Sequence, residues 1–310
     1  MAIMLRSVCY ASGVRPIVAM YVPYLEVGGT EQRVARLAVG VDRRRFEIVV
    51  LCAARGPLVD EIQAAGVPII DFPVKDQPQA VGILRKLSPA IFHSFSYSRN
   101  AFDVMAAEAA EVPFIITSRV NMREWDELGC VRDWELVRNR ATHRITAVSQ
   151  AVATRCELVE GISHQNIVVS HNGVRTEEGP YDPAIREELG IAADVQLAGF
   201  VANYRPEKAH DFLFECFRRV VDQRPKTHLV CCGTARPEVR QRLEELVQTA
   251  GLQRHVSLLG FRPDVQTIYR GLDVYLQSSR LEGLSNALLE AMSQGLPVVA
   301  TAVGGTPEAL

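Results

Sequence analysis

Short, almost wholly apolar runs recur along this chain, each followed by a longer amphipathic or polar stretch, and no other property restricts its fold as much. Residues 17–22 (IVAMYV), 46–52, 67–71, 90–93, 113–117, 145–148 and 167–170 form one series. Residues 196–202, 228–232, 256–259, 273–276 and 297–301 form a second. Apolar runs of this length without polar alternation read as strands buried on both faces, and strands that alternate with helices assemble into a parallel sheet covered on both sides. The helical stretches carry their own signals. Val34, Leu37, Ala38 and Val41 fall on one face, residues 57–65, 78–87, about 121–140 and 183–189 follow, and Pro237 opens a helix that Gly251 closes. Between the two series, residues 175–180 are charged and glycine-bearing and read as a linker. The expected fold class is α/β, with two Rossmann-like, doubly wound parallel-sheet domains at 1–178 and 179–310. They are expected to face each other across a ligand cleft at the carboxyl ends of the strands. A length of 310 residues suits two domains.

Composition removes several classes of function. A formal net charge of −2 offers no basic field for nucleic acid. The seven cysteines, Cys9, Cys52, Cys130, Cys156, Cys216, Cys231 and Cys232, form no C-x-x-C and no zinc spacing with histidine. Most lie in apolar runs, which predicts buried free thiols in a reducing cytosol. No apolar run approaches the roughly 18 residues of a membrane span, and the first 13 residues lack the apolar core of a signal peptide. No G-x-G-x-x-G follows a strand, and there is no Walker loop, no G-x-S-x-G and no Asp-x-Asp.

Residues 278–305, SSRLEGLSNALLEAMSQGLPVVATAVGG, are the most specific stretch. A strand ends at Gln277, a turn holds Glu282 and Gly283, and Ser285 is placed to cap a helix from Asn286 to about Gln294. Gly295 can close that helix and Pro297 cannot continue it. The helix start presents free backbone N–H groups and the positive end of the dipole, which favours a phosphate. Glu282 can then reach a sugar hydroxyl beyond the phosphate, and Glu290, about one and a half turns into the helix, can accept two hydrogen bonds from a ribose diol. The plainer alternative is a strand-turn-helix with two solvated glutamates.

The segment from Glu282 to Gly305 closely resembles the Glu-x7-Glu segment of retaining, GT-B-fold glycosyltransferases, in particular glycosyltransferase family 4 (glycosyl transferases group 1). The resemblance implies that Gly283, Leu284, Ser285 and Glu290 bind the nucleotide sugar and that Glu282 orients the sugar. VANYRPEKAHDFLFECF (201–217) resembles the family's phosphate-binding loop, so Lys208 is expected to meet the diphosphate. This chain has Asn203 where the family commonly has Arg, and Ala209 where it often has Gly. Arg205 is the expected replacement, because alternate residues of an extended segment share a face and Pro206 biases Arg205 to be extended. Gly28 and Gly29 stand where the family carries a Gly-Gly loop between donor and acceptor, with Thr30 as the N-cap. Gly260, Phe261 and Arg262 stand where the base is held, largely by backbone groups, although an ordinary exit turn reads equally well. His93 stands where the family often shows His-x-His, with Phe95 in the second place; a buried strand-end histidine is the alternative. Residues 171–174 (HNGV) resemble a structural Asn-Gly turn before the linker. Arg119 is an acceptor-side candidate, and Arg43, Arg44 and Arg45 read as a solvated helix end or as a contact with an anionic membrane surface.

The expected function is transfer of a sugar from a nucleotide diphosphate, a UDP-sugar first, to a glycan, lipid-linked or small-molecule acceptor, in cell-surface polysaccharide or glycoconjugate synthesis. The nucleotide sugar is a substrate; no cofactor, metal or nucleic acid is expected. The expected location is the cytoplasm, with peripheral contact at the inner membrane face as an extension. The rivals are a sugar-nucleotide epimerase or phosphorylase of GT-B architecture, and a homologue that binds nucleotide sugar without turnover. Members of the family continue with further helices where this chain stops at Leu310, so a truncated second domain with apolar surface left uncovered is also expected.

Overall fold

The computed structural model describes residues 15–96, 100–122, 133–175, 179–234 and 236–310. Cys9, Cys130, the leader, the first part of the 121–140 helix and the middle of the 175–180 linker lie outside them. The chain divides into two compact units, Met1–His171 and Asn172–Leu310.

In the first unit, β1 (Ile17–Tyr24), α1 (Gly29–Gly40), β2 (Glu47–Ala54), α2 (Leu58–Ala64), β3 (Ile69–Asp71), α3 (Gln77–Leu87), β4 (Ile91–Ser94), α4 (Phe102–Ala109), β5 (Phe114–Arg119), α5 (Asp133–Ala141), β6 (Arg144–Ala147), α6 (Gln150–Glu160) and β7 (Ile167–Val169) follow in order. The seven strands form one sheet in the order β3-β2-β1-β4-β5-β6-β7, every pairing parallel. Successive residues of β1 and β2 turn to opposite faces, and both faces are buried, which is why these runs show no polar alternation. Val18, Met20, Val22, Ile48 and Val50 pack with Val34 and Ala38 of α1 and Ile62 of α2. Ala19, Tyr21, Val49, Leu51 and Phe92 pack with Ala80 and Leu84 of α3 and Val104 of α4. Each large side chain so buried contributes about 1.5–3 kcal/mol.

The second unit runs α7 (Ala184–Leu189), β8 (Gln196–Val201), a 3₁₀ turn (Pro206–Lys208), α8 (His210–Gln223), β9 (Thr227–Cys232), α9 (Pro237–Thr249), β10 (Val256–Gly260), α10 (Val265–Gly271), β11 (Val274–Gln277), α11 (Asn286–Ser293), β12 (Val298–Ala300) and α12 (Thr306–Ala309). Its five parallel strands are ordered β10-β9-β8-β11-β12. Phe200, Leu213, Phe214, Phe217 and Leu229 fill one face, and Leu197, Val230, Ile268, Tyr275 and Leu288 the other.

In both sheets the strand order reverses beside the first strand. The connections leaving β1 and β4, and those leaving β8 and β11, therefore diverge to opposite faces and open a crevice at the carboxyl ends of the strands. Among the described residues no helix is long and apolar enough to cross a membrane. Thr30 is not the N-cap of α1. Gly28 takes that position without a side-chain bond, Gln32 N donates to Gly28 O at 2.9 Å, and Thr30 lies inside the first turn.

Candidate functional site

Two loops meet at the switch point of the second sheet, one after β8 and one after β11. In the first, Tyr204 turns inward and donates its hydroxyl to Cys231 O at 2.9 Å. Arg205, extended at φ −129°, is exposed. Ala209 then adopts φ +52° and starts α8. That left-handed conformation costs a residue with a Cβ about 1–2 kcal/mol, which explains why glycine suits the position.

Lys208 Nζ donates to Glu282 Oε1 at 2.5 Å, and Ser279 Oγ donates to the same oxygen at 2.6 Å. The Glu282 side chain is 7% exposed and that of Lys208 21%, so the pair is largely out of water, where charges interact strongly. Neighbouring bonds fasten one loop to the other. Ser278 Oγ lies 2.9 Å from Lys208 O and 3.2 Å from Ala209 O, and Arg280 N donates to Glu207 O at 2.8 Å.

The helix start after Gly283 is fixed from the other side. Ser285 Oγ accepts from Leu288 N at 3.3 Å, the expected N-cap. Gly305 N donates to Gly283 O at 3.0 Å, and Asn172 Nδ2 donates to Leu284 O at 3.0 Å. Because C=O and N–H point oppositely across a trans peptide, these bonds aim the N–H groups of Leu284 and Ser285 the other way. Gly304 lies at φ +52°, and a Cβ there would sit 1.7 Å from Glu282 O. Glu290, in the second turn of α11, is buried and accepts from the Tyr269 hydroxyl at 3.4 Å. Burial, with the carboxylates of Glu282 and Glu290 adding to it, holds the neighbouring Tyr275 phenol well above its usual range.

The other candidates of this unit stand apart from that pair. Asn203 accepts from Thr234 N at 3.2 Å and so ties the exits of β8 and β9 together. Gly260, at φ +76°, and the exposed Phe261 end β10, the edge strand two places from β8. The Arg262 guanidinium forks onto Glu188 (2.6 and 2.9 Å) and Asp264 (2.8 and 2.7 Å), which raises its pKa further, so only its backbone remains for a base. Gly233 carried no sequence signal beyond ending a strand, yet a Cβ there would lie 1.9 Å from Ala202 O.

In the first unit, Gly28 is the N-cap and Gly29 the first residue of α1, and His93 is the last residue but one of β4. His93 Nε2 is 2.9 Å from Ser118 Oγ, which is 2.7 Å from Thr146 Oγ1. The ring stacks on Phe95 at 4.1 Å. Burial, then the Arg33 charge, pushes the His93 pKa down to about 3, so the imidazole is neutral. Arg119, the acceptor-side candidate, is buried in a fork to Glu160 (3.0 and 2.9 Å) with Asn139 beside it at 2.7 Å. Arg44 bonds Asp42, Arg45 lies over Phe46, and all three arginines of that run are solvent-facing to some degree. Among the described cysteines, Cys52, Cys156, Cys231 and Cys232 are buried free thiols and Cys216 is an exposed one. Among the described residues no cluster of three His, Cys, Asp or Glu is placed to hold a metal.

Residues 182–310 match the family model for glycosyl transferases group 1, and residues 27–178 match that for glycosyltransferase family 4. The chain is 25% identical over 285 residues to the Escherichia coli UDP-Gal:alpha-D-GlcNAc-diphosphoundecaprenol alpha-1,3-galactosyltransferase, covering 84% of this chain and 73% of that protein. It is 28% identical over 170 residues to the lipopolysaccharide core biosynthesis mannosyltransferase LpsB of Rhizobium meliloti, covering 53% of this chain and 48% of that protein. Among solved structures, Anabaena Alr3699/HepE in complex with UDP and glucose superposes with a TM-score of 0.81 at 20% identity, over 94% of this chain and 82% of that one. WaaG, a glycosyltransferase involved in lipopolysaccharide biosynthesis, superposes with a TM-score of 0.73 at 18% identity, over 94% and 83%. The fold is GT-B.

Proposed function

Because the chain belongs to the family 4 glycosyltransferases, with the group 1 domain as its second half, we propose that it transfers a glycosyl group from a UDP-sugar, with retention, to a lipid-linked or other glycan acceptor. The observation that carries this reading is the Lys208–Glu282 pair beside the amide-bearing start of α11. Departure of a nucleoside diphosphate concentrates negative charge on its phosphate. Lys208 and the N–H groups of Leu284 and Ser285 are proposed to meet it as fixed positive ends that need no reorganisation. Glu282 orients the sugar, Glu290 accepts from the ribose diol, and Arg205 adds an exposed cation on the solvent side. Gly260, Phe261 and Arg262 present backbone groups to the base. Residues 1–178 supply the acceptor side, with Gly28, Gly29 and neutral His93 at its strand ends.

The names of the relatives support the donor and acceptor classes: the E. coli protein uses UDP-Gal and a diphosphoundecaprenol-linked sugar, and the Anabaena structure holds UDP and glucose. The proposed location is the cytoplasmic face of a membrane, supported by the free thiols and by the exposed Arg44 and Arg45, which suit anionic headgroups. The proposed chemistry needs no metal, Lys208 taking the metal's part.

The test is UDP release from a panel of UDP-sugars, with and without an N-acetylglucosamine-diphosphate-polyprenol acceptor, in buffer and in EDTA. Acceptor-dependent release with one donor, an α-linked product from an α-linked donor, and unchanged rates in EDTA are expected. Acceptor-independent isomerisation of the sugar nucleotide would make the protein an epimerase, and binding without release a non-catalytic homologue. Loss in EDTA with recovery in Mn²⁺ would refute the metal-free mechanism.

A further inference from the structure

Residues 278–282 divide their bonds by alternation. Ser279 donates to Glu282, whereas Ser278 and Arg280, on either side of it, both engage the loop that carries Lys208. Arg280 makes three kinds of contact with that loop and the helix that follows it. Its amide donates to Glu207 O at 2.8 Å, its Nη1 reaches Pro206 O at 3.4 Å, and its guanidinium forks onto both carboxylate oxygens of Asp211 at 3.0 and 2.9 Å. Asp211 is the second residue of α8, two positions past the strained Ala209. The two partners are about half exposed, and the Asp211 carboxyl is held below its usual range chiefly by the Arg280 hydrogen bonds. Such an exposed pair adds little to global stability. Its fork geometry nevertheless fixes distance and angle between two otherwise separate loops.

We propose that Arg280 and Asp211 are positioning residues for the donor site: their fork, outside the site, sets where Lys208 stands relative to Glu282. This inference rests on the reading of the Lys208–Glu282 pair as the place where the nucleotide diphosphate binds. Arg280 makes two bonds to the Lys208 loop and two to Asp211 at the start of α8, and in this role it acts through Lys208 and not on the phosphate. A displacement of about 1 Å at a charged contact is enough to cost a large factor in binding or rate.

The sign of one variant separates this from a direct role. If Arg280 were itself a phosphate ligand, Asp211→Asn would free its charge and tighten UDP binding. The positioning role predicts the opposite. Calorimetry with UDP is therefore run on the intact chain and on Arg280→Ala, Asp211→Asn, Arg280→Lys, the swapped pair Arg280→Asp with Asp211→Arg, and Lys208→Ala. Thermal midpoints are recorded for each. The expected result is about tenfold weaker UDP binding for Arg280→Ala and Asp211→Asn at near-unchanged midpoints. Partial recovery is expected in Arg280→Lys, which keeps the charge and loses the fork, and recovery to within about threefold in the swapped pair. Tighter binding by Asp211→Asn, or no recovery in the swapped pair, overturns the proposal. So does wild-type affinity in Arg280→Ala while Lys208→Ala is weakened. Unchanged affinity in Lys208→Ala overturns the donor-site reading and the proposal with it.

Discussion

Lys208 holds its ammonium 2.5 Å from a carboxylate, on a side chain four-fifths buried. Lys208→Ala is expected to lower kcat by about 10²–10³ with a much smaller change in donor KM, as for removal of a preorganised group at a developing charge. Lys226→Ala, a solvent-exposed lysine paired with Asp194, is the matched control and should leave both constants near wild type. Two residues along, His210 shows how a polar residue behaves when buried with a ring nitrogen unpartnered. Its ring lies 4.9 Å from both Phe200 and Tyr204, and its Nε2 has no hydrogen-bond partner among the described residues. Burial, followed by the Lys208 charge, pushes its pKa down to about 4. The unfolded chain takes up a proton near pH 6.5 and the folded one does not until about pH 4, so stability is full above 6.5 and falls as the pH drops through that window. The loss approaches about 3 kcal/mol at one pKa unit per about 1.4 kcal/mol. His210→Phe, which keeps the aromatic packing, should flatten that part of the stability–pH curve in urea titrations; an unchanged curve would place the loss elsewhere.

At the scale of elements, the twelve strands among the described residues are visible in the sequence as apolar runs, to within two residues at most ends, most clearly in β1 and β2, where burial on both faces leaves a run with no polar interruption. The turn, cap and helix at 282–294 are equally legible, since Ser285 and Gly295 are local signals and both act as such. The helices at Phe102–Ala109 and Gln150–Glu160 are not. The first, FDVMAAEA, is apolar almost all round, and the second lacks a clean apolar stripe, so neither shows the periodicity that reveals a helix. The candidate residues could be read off, but not the bonds that hold them. Asn172 to Leu284 O joins residues 112 apart, and the ion pair that removes Arg119 from solvent joins residues 41 apart. Gly304 belongs to this hidden class. It stands in the loop after β12, and its bare Cα lets that loop lie on Glu282 O. Gly304→Ala would combine a left-handed backbone, costing about 1–2 kcal/mol, with a contact that backbone must move to relieve. We expect the variant to fold with a lower midpoint and to lose most of its UDP affinity, read by thermal shift and calorimetry; wild-type affinity would show that the 282–285 loop tolerates displacement.

For the whole molecule, the residues proposed to hold UDP all lie in the unit Asn172–Leu310. Ligand at 100 times its Kd stabilises what it binds by about 2.7 kcal/mol. Hydrogen exchange with UDP present should therefore slow the amides of β8, β9 and β11 and leave those of β1, β2 and β4 as they were; equal protection of both sheets would contradict the assignment. The strand order has a further consequence, for the order in which the molecule can be built. β1 is the first strand of its sheet to leave the ribosome and ends between β2 and β4, as β8 does between β9 and β11. Until β4 is made, about seventy residues after β1, one edge of β1 has no partner, and at 5–20 residues per second that interval lasts on the order of 4–14 s. During that time an eight-residue strand, buried in the finished sheet except near its ends, presents open hydrogen-bonding groups to its surroundings. Synthesis, more than the folded state, is where this architecture is exposed to aggregation, and slowing translation between β2 and β4 should lower the soluble yield.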